Sequence, residues 1–147
     1  MVWYCCALER LGRSSHGNMH NLNLTGRGIN MDDGWETARR RSGGNDWVIV
    51  ALGRPDDISE VEIDTAHFKG IYPESAVIGA ALMEGTEDLV VASVNWPVLL
   101  PRTKLDAVSV RRYSETLARL GVVSHARMDI FPDGGVSRIR LLGNARK

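Results

Sequence analysis

Three short stretches of this chain concentrate side chains that can bind anions or transfer protons. They are residues 34–41, 64–70 and 130–138. Each combines carboxylates, guanidinium groups or an imidazole at the end of an apparent β-element. Loops that a rigid scaffold positions are where chemistry is usually placed. The three stretches therefore predict a site for a small polar anion.

The stretch 64–70 offers the groups needed for acid–base chemistry. Asp64, His67 and Lys69 lie where an alternating strand ends and Gly70 permits a change of direction. An imidazole exchanges protons near neutral pH, a carboxylate can orient it, and an ammonium can bind a substrate carboxylate. The alternative is that His67 is a half-buried loop residue hydrogen-bonded to the backbone.

The stretch 34–41 follows a predicted helical turn and ends in three arginines. Asp33 can cap that turn, with Glu36 three residues later as in a capping box. Glu36 and Arg40 are four residues apart, so on a helix their side chains would form an ion pair. That structural role alone would account for the presence of both residues. Guanidinium groups bind carboxylates in a bidentate manner. We expect at least one of Arg39, Arg40 and Arg41 to lie in a site, and the sequence leaves open which one.

The third stretch contains a strong turn signal followed by a strand. Asp133, in the turn 132–135, is most simply a turn-forming residue. Arg138 and Arg140 share one face of the next strand, and we expect that face to be exposed. The histidines have no metal-ligand spacing, so the sequence signals neither a metal site nor a cofactor. Three tryptophans are expected to be core anchors: Trp35, Trp47 and Trp96.

Composition excludes several classes of partner. The chain has 147 residues, enough for one domain with a real core, and 44% of them are hydrophobic. Lys plus Arg number 18 and Asp plus Glu number 18, so no overall field recruits nucleic acid or an anionic membrane. Cys5 and Cys6 are adjacent and have no spaced partner for a disulfide framework or a zinc site. The apolar start lacks a basic flank, and no run is long enough to cross a bilayer. We therefore expect a soluble cytoplasmic protein that binds neither nucleic acid nor membrane.

Short strands separated by turn signals dominate the rest of the chain. The predicted strands cover residues 47–52, 58–65, 76–83, 89–94, 108–113, 122–131 and 136–142, with turns at 54–57, 84–88 and 132–135. A short helix over 115–120 is the only competing element. So many short strands with so little helix favour an all-β fold, an antiparallel β-sandwich or jelly roll. Residues 1–17 are expected to be irregular, and residues 18–147 to form the domain.

Two of the motifs resemble those of a known enzyme family. Asn30-Met31-Asp32-Asp33-Gly34-Trp35-Glu36-Thr37 and Asp64-Thr65-Ala66-His67-Phe68-Lys69, in this order, are similar to allantoicase, the hydrolase that releases urea from allantoate. The resemblance runs from about residue 18 to residue 143. It implies a β-sandwich like that of galactose-binding domains, corresponding to the second of two tandem modules.

The resemblance also implies a reaction in purine (allantoin) degradation. Allantoate and water would give ureidoglycolate and urea. This requires a cationic clamp for the carboxylate, acceptors for ureido N–H groups and an acid–base group. Under this hypothesis Lys69 or one of the arginines 39–41 is the clamp. Asp64 or Glu36 accepts the ureido hydrogens, and His67 moves the proton.

A lone second module implies a partner, either the first module or another copy of this chain. The rival hypothesis, from another class, is a non-catalytic ligand-binding β-sandwich or a degenerate structural remnant. The cluster of Asp64, His67 and Lys69 favours the enzyme. Ile71, which stands where the family usually has asparagine, favours the remnant.

Overall fold

The computed structural model describes residues 2–3, 7–11, 19–24, 26–39, 43–85 and 88–143. Its strands are β1 (Val2–Trp3), β2 (Ala7–Leu11), β3 (Trp35–Glu36), β4 (Asp46–Asp64), β5 (Ser75–Ala81), β6 (Val98–Lys104), β7 (Val110–Tyr113), β8 (Val122–Phe131), β9 (Gly135–Val136) and β10 (Arg138–Gly143). One short α-helix, α1 (Leu89–Ser93), and two 3-10 turns, Met19–Asn23 and Met31–Asp33, complete the described elements.

Strand β4 is long enough to belong to two sheets. Its first half pairs with β2 and β8, and β5 and β6 extend that sheet beyond β8. Its second half pairs with β10 and β7, and β1 extends that sheet beyond β10. All pairs between the described strands are antiparallel, and apolar side chains from both sheets share one core that includes Val48, Ile63, Ile78, Met128 and Leu141. The predicted antiparallel β-sandwich is confirmed.

The predicted turn at 54–57 is wrong, because β4 continues through it. Ala51 pairs with His125 and Asp56 with Val123, so β4 has more residues than β8 over this interval and bulges. The exposed residues 53–55 form the bulge. The alternation predicted beyond it is confirmed on the core side, where Val61 and Ile63 are buried.

Two predictions for the middle of the chain are also wrong. Residues 89–94 were expected to form a strand, but 89–93 form α1, because the Asp88 side chain accepts hydrogen bonds from the backbone N–H groups of Val90 and Val91 at 3.0 and 3.4 Å. Residues 115–120, the expected short helix, form turns and irregular backbone. Strand β6 was not predicted. It pairs only with β5 among the described strands, an edge position that tolerates Pro101 within it.

The first part of the chain is more regular than expected. In the segment 1–17 the described residues form β1 and β2, which pair with β10 and β4, so the expectation of an irregular segment is wrong there. The helical turn expected from Asp33 is instead a 3-10 turn that ends at Asp33, with Asn30 as its cap. Glu36 lies in the extended strand β3 rather than on a helix, so the proposed i, i+4 pairing geometry with Arg40 is wrong. Arg40 and Arg41, like Cys5 and Cys6, lie outside the described residues.

Candidate functional site

The three chemistry-bearing stretches meet at one end of the sandwich, around the fully buried ring of Phe68. A Cβ built on Gly34 would lie 3.1 Å from that ring, and one built on Gly135 would lie 2.0 Å from it. At Gly135 the backbone therefore approaches the ring more closely than a residue with a side chain could, and at Gly34 a side chain would make an unusually tight contact. Strand β3 pairs with β9 in the same region, with Glu36 opposite Gly135.

Hydrogen bonds tie the same segments together. The N–H of Thr37 donates to the carbonyl of Gly134 at 2.9 Å, and the N–H of Gly135 donates to the carbonyl of Ile71 at 2.7 Å. The N–H of Ser137 donates to the carbonyl of Asp64 at 2.7 Å. These bonds join residues far apart in sequence, so the loop arrangement depends on the whole sandwich.

Two cavities open in this region, and Glu36 lines both of them. Cavity A, of about 850 Å³, is bordered by Glu36, Thr37, Ala38, Arg39, Gly70, Ile71, Tyr72, Glu74, Lys104, Leu105, Pro132, Asp133 and Gly134. Cavity B, of about 560 Å³, is bordered by Asn30, Met31, Asp32, Glu36 and His67. Glu36 is 8% exposed, so its carboxylate lies largely out of bulk water between the two.

His67 is an exposed loop residue that lines cavity B. Its Nε2 atom lies 2.7 Å from the carbonyl oxygen of Gly28, as the backbone-bonded alternative predicted. A carbonyl only accepts, so Nε2 carries a hydrogen and Nδ1 is the nitrogen that can take up a proton in the neutral ring. The backbone of His67 is left-handed, with φ of 74°, a conformation that asparagine and glycine also adopt readily.

Asp64 lines neither cavity. It is 0% exposed, and its Oδ2 atom accepts a hydrogen bond from Arg27 at 3.1 Å. Its Oδ1 atom accepts from the backbone N–H of Ala66 at 2.8 Å, which shapes the turn that carries His67. Because Gly28, the neighbour of Arg27, holds the imidazole, Asp64 and Arg27 close a ring of contacts around His67. The Asp64 carboxylate is therefore engaged within the fold, and its contact with Ala66 supports the turn that carries His67.

Glu62 completes the polar face of β4. Arg27 donates to both of its carboxylate oxygens at 3.0 Å, and Arg112 donates from Nε at 3.2 Å. Burial alone would raise the pKa of Glu62, but the hydrogen bonds and charges of the two arginines outweigh it and hold that pKa below its ordinary value. The hydrogen bond with Glu62 likewise raises the pKa of Arg27.

Arg138 and Arg140 are 1% and 5% exposed, so the expected exposed face is wrong. Arg138 donates to the carbonyls of Gly26, Asp33 and Ser137 and to the Asp33 carboxylate. Arg140 donates to the carbonyls of Leu22, Leu24, Gly26 and Ile139 at 2.6 to 3.3 Å. Burial lowers the pKa of Arg140. Both guanidinium groups hold residues 22–24 and 26–33 against β10.

The cations predicted to bind substrate separate in the structure. Arg39 is exposed and lines cavity A, whereas Lys69 is exposed and lines neither cavity. Sequence reasoning missed Lys104, which lines cavity A, and it assigned no role to Asn30 and Asp32, which line cavity B. Asn30 and Asp32 belong to the motif that carried the family resemblance, which was the available signal. Lys104 lies on the unpredicted strand β6 and had none.

The remaining expectations concern tryptophans and metals. Trp35 is 0% exposed and is confirmed as a core anchor. Trp47 and Trp96 are only partly buried, and the Arg127 guanidinium lies 4.4 Å above the Trp47 ring. Within the described part of the chain, no three His, Cys, Asp or Glu side chains are placed to hold a metal ion. No described helix is long and apolar enough to span a membrane.

The topology defines the chain as a β-sandwich of the galactose-binding-domain class. A family 32 carbohydrate-binding module of Streptococcus pneumoniae EndoD superposes with a TM-score of 0.69 over 97% of this chain and 100% of the module, at 8% identity, a likeness of fold alone. The allantoicase of Saccharomyces cerevisiae superposes with a TM-score of 0.81 at 33% identity, over 95% of this chain and 40% of that one.

The family follows from the sequence match. The family model described as the allantoicase repeat matches residues 11–146, and the chain belongs to the allantoicase repeat family. A probable allantoicase of Photobacterium profundum is 52% identical over 140 residues, which cover 94% of this chain and 41% of that protein. The chain therefore spans about two fifths of the length of the relatives it matches.

Proposed function

We propose that this chain contributes an allantoate-hydrolysing site of the allantoicase type, as the second of two repeats. The observation that supports the proposal most directly is the placement of Glu36. A largely buried carboxylate borders two cavities, with Arg39 at one and His67 at the other. A cation, a buried acceptor and an imidazole are the groups that the reaction needs.

The chemistry follows from the substrate, which has one carboxylate and two ureido groups on a single carbon. The bond from that carbon to one ureido nitrogen breaks, a proton passes to the departing nitrogen, and urea leaves. The lone pair of the remaining ureido nitrogen assists, and the oxygen of a water molecule adds to the carbon to form the hydroxyl of ureidoglycolate. In this chain, Nδ1 of His67 exchanges the proton, Glu36 accepts ureido N–H groups and Arg39 binds the carboxylate.

Another repeat, either the first module or a further copy of this chain, completes the site in this proposal. Ile29 is 79% exposed and Met31 is 38% exposed, beside or on the border of cavity B. Exposed apolar side chains at the edge of a cavity suit a surface that another domain covers. The proposed setting is cytoplasmic.

The test is urea release from allantoate by the purified chain, measured against a heat-treated sample. We expect His67→Asn to lower the turnover by about 100-fold or more, the usual size of an acid–base contribution. Glu36→Gln should lower it by about 10-fold to 100-fold, the size of a lost charge-assisted hydrogen bond. Asparagine is chosen at position 67 because it tolerates the left-handed backbone. Arg119→Ala, at an exposed position outside both cavities, is the control.

The outcomes separate the enzyme from its rival. Near-normal turnover in His67→Asn would remove His67 from the chemistry. A folded wild-type chain that binds allantoate without releasing urea would favour the non-catalytic binding module, and a chain that neither binds nor hydrolyses it would favour the structural remnant.

A further inference from the structure

Lys104 is a second cation on cavity A, contributed by the edge strand β6. It pairs in register with Ser75 of β5, and the next residue, Leu105, donates its N–H to the carbonyl of Glu74 at 3.0 Å. The backbone at position 104 is therefore fixed on both sides. The Lys104 side chain is exposed to the cavity and to solvent.

Arg102, two residues before Lys104 on β6, pairs with Glu74, a carboxylate that also borders cavity A. Arg102 lies 3.6 Å from Glu74, donates from Nε to the Ser75 hydroxyl at 2.8 Å, and stacks 4.1 Å above the Phe131 ring. These contacts hold Arg102 and Glu74 together. In the described part of the chain, by contrast, no carboxylate lies within 4.0 Å of the Lys104 ammonium.

The lining of cavity A carries charges of both signs. Three carboxylates, of Glu36, Glu74 and Asp133, border it together with the cations Arg39 and Lys104. Arg102 pairs with Glu74, whereas the carboxylates of Glu36 and Asp133 can interact with the N–H groups of a ligand. A ligand with one carboxylate and several N–H donors is repelled by the acids at its carboxylate and attracted by them at its N–H groups. The charge pattern therefore favours one orientation, with the carboxylate towards the lysine and the arginine.

We infer that Lys104, together with Arg39, forms the subsite for the substrate carboxylate, and that Lys69 does not. The inference rests on the proposed function, since it assigns the carboxylate end of the same small ureide substrate. It makes Lys104 a specificity determinant, because a neutral analogue would gain nothing from the ammonium group.

The experiment compares Lys104→Ala, Lys104→Arg and Lys69→Ala, with Arg119→Ala as the exposed-cation control. Allantoate affinity is measured by isothermal titration calorimetry, and KM and kcat by urea release. Loss of a charge-assisted hydrogen bond corresponds to a weakening of about 10-fold to 100-fold. We expect that rise in dissociation constant and KM in Lys104→Ala, a much smaller change in kcat, and recovery in Lys104→Arg. The methyl ester of allantoate should bind wild type and Lys104→Ala equally.

The outcomes distinguish the subsite from the function. If wild type binds or hydrolyses allantoate and Lys104→Ala matches it, the subsite inference is overturned while the proposed function stands. A rise in KM in Lys69→Ala instead of Lys104→Ala also overturns it, as does a loss in kcat alone. If the folded wild-type chain neither binds nor hydrolyses allantoate, both are overturned. Equal thermal midpoints of the four variants show that the changes are local.

Discussion

Replacing Asp64 with alanine removes a fully buried carboxylate that accepts hydrogen bonds from Ala66 and Arg27. A hydrogen bond to a charged group contributes about 1.5–3 kcal/mol, so two of them amount to roughly 3–6 kcal/mol. Alanine also removes the unfavourable burial of the charge, which offsets part of that loss. We expect Asp64→Ala to lower the free energy of unfolding by about 2–4 kcal/mol.

The assay is thermal unfolding followed by circular dichroism. For a chain of this size, 1 kcal/mol shifts the midpoint by about 3 °C, so Asp64→Ala should lower it by roughly 6–12 °C. Asp64→Asn keeps an oxygen that can accept from Ala66, and about half of the shift should remain. The control is Asp106→Ala, which breaks an exposed ion pair with Arg111 and should cost less than about 1 kcal/mol.

Two results would refute the reasoning. A midpoint for Asp64→Ala no lower than that of Asp106→Ala would mean that the buried contacts do not stabilise the loop. An Asp64→Asn variant with a nearly unchanged midpoint but no urea release would give the carboxylate a direct chemical role, as the sequence first suggested.

Two further predictions concern acid stability and loop packing. The pKa of Glu62 is lowered in the folded state, so its contribution is present above its ordinary value of 4.5 and is lost as the pH falls through the folded-state pKa. The midpoint should therefore fall less between pH 5 and pH 3 in Glu62→Gln than in wild type, and an equal fall would contradict this. Gly135→Ala should destabilise by about 1–3 kcal/mol or more in urea unfolding, because the added Cβ would overlap the Phe68 ring. Gly70→Ala, where a Cβ meets nothing within 4 Å, is the control, and equal effects of the two changes would show that the ring moves freely.

The parts of the fold that depend on local pattern could be predicted from the sequence. β8 and the core side of β4 follow from the alternation of apolar and polar residues, because every second side chain along a strand points to the same face of the sheet. α1 was missed because its apolar, β-branched residues favour a strand, and a single cap at Asp88 decides the outcome. β6 was missed because Pro101 argues against a strand unless the strand is known to lie at an edge.

The candidate site was predictable in its location and less so in its roles. The three stretches were expected to build one site, and they meet around Phe68. The roles of Arg138 and Arg140 depend on carbonyl groups more than 100 residues away in sequence, at 22–24 and 26–33, so no local pattern reveals that they are buried. Asp64 was assigned to chemistry by its residue type, whereas its contact with Arg27 is set by the path of residues 26–28.

The structure separates cations that hold the fold from cations that can meet a ligand. A guanidinium group whose donors are taken by backbone carbonyls, as in Arg140, cannot bind a substrate carboxylate without leaving those carbonyls unpaired. Arg27 is similarly engaged by two buried carboxylates. Arg39 and Lys104 face cavity A from exposed positions. A small anion that enters cavity A can therefore bind these two side chains without breaking a buried contact. Binding to Arg140 or Arg27 would require such contacts to be broken, and would be less favourable.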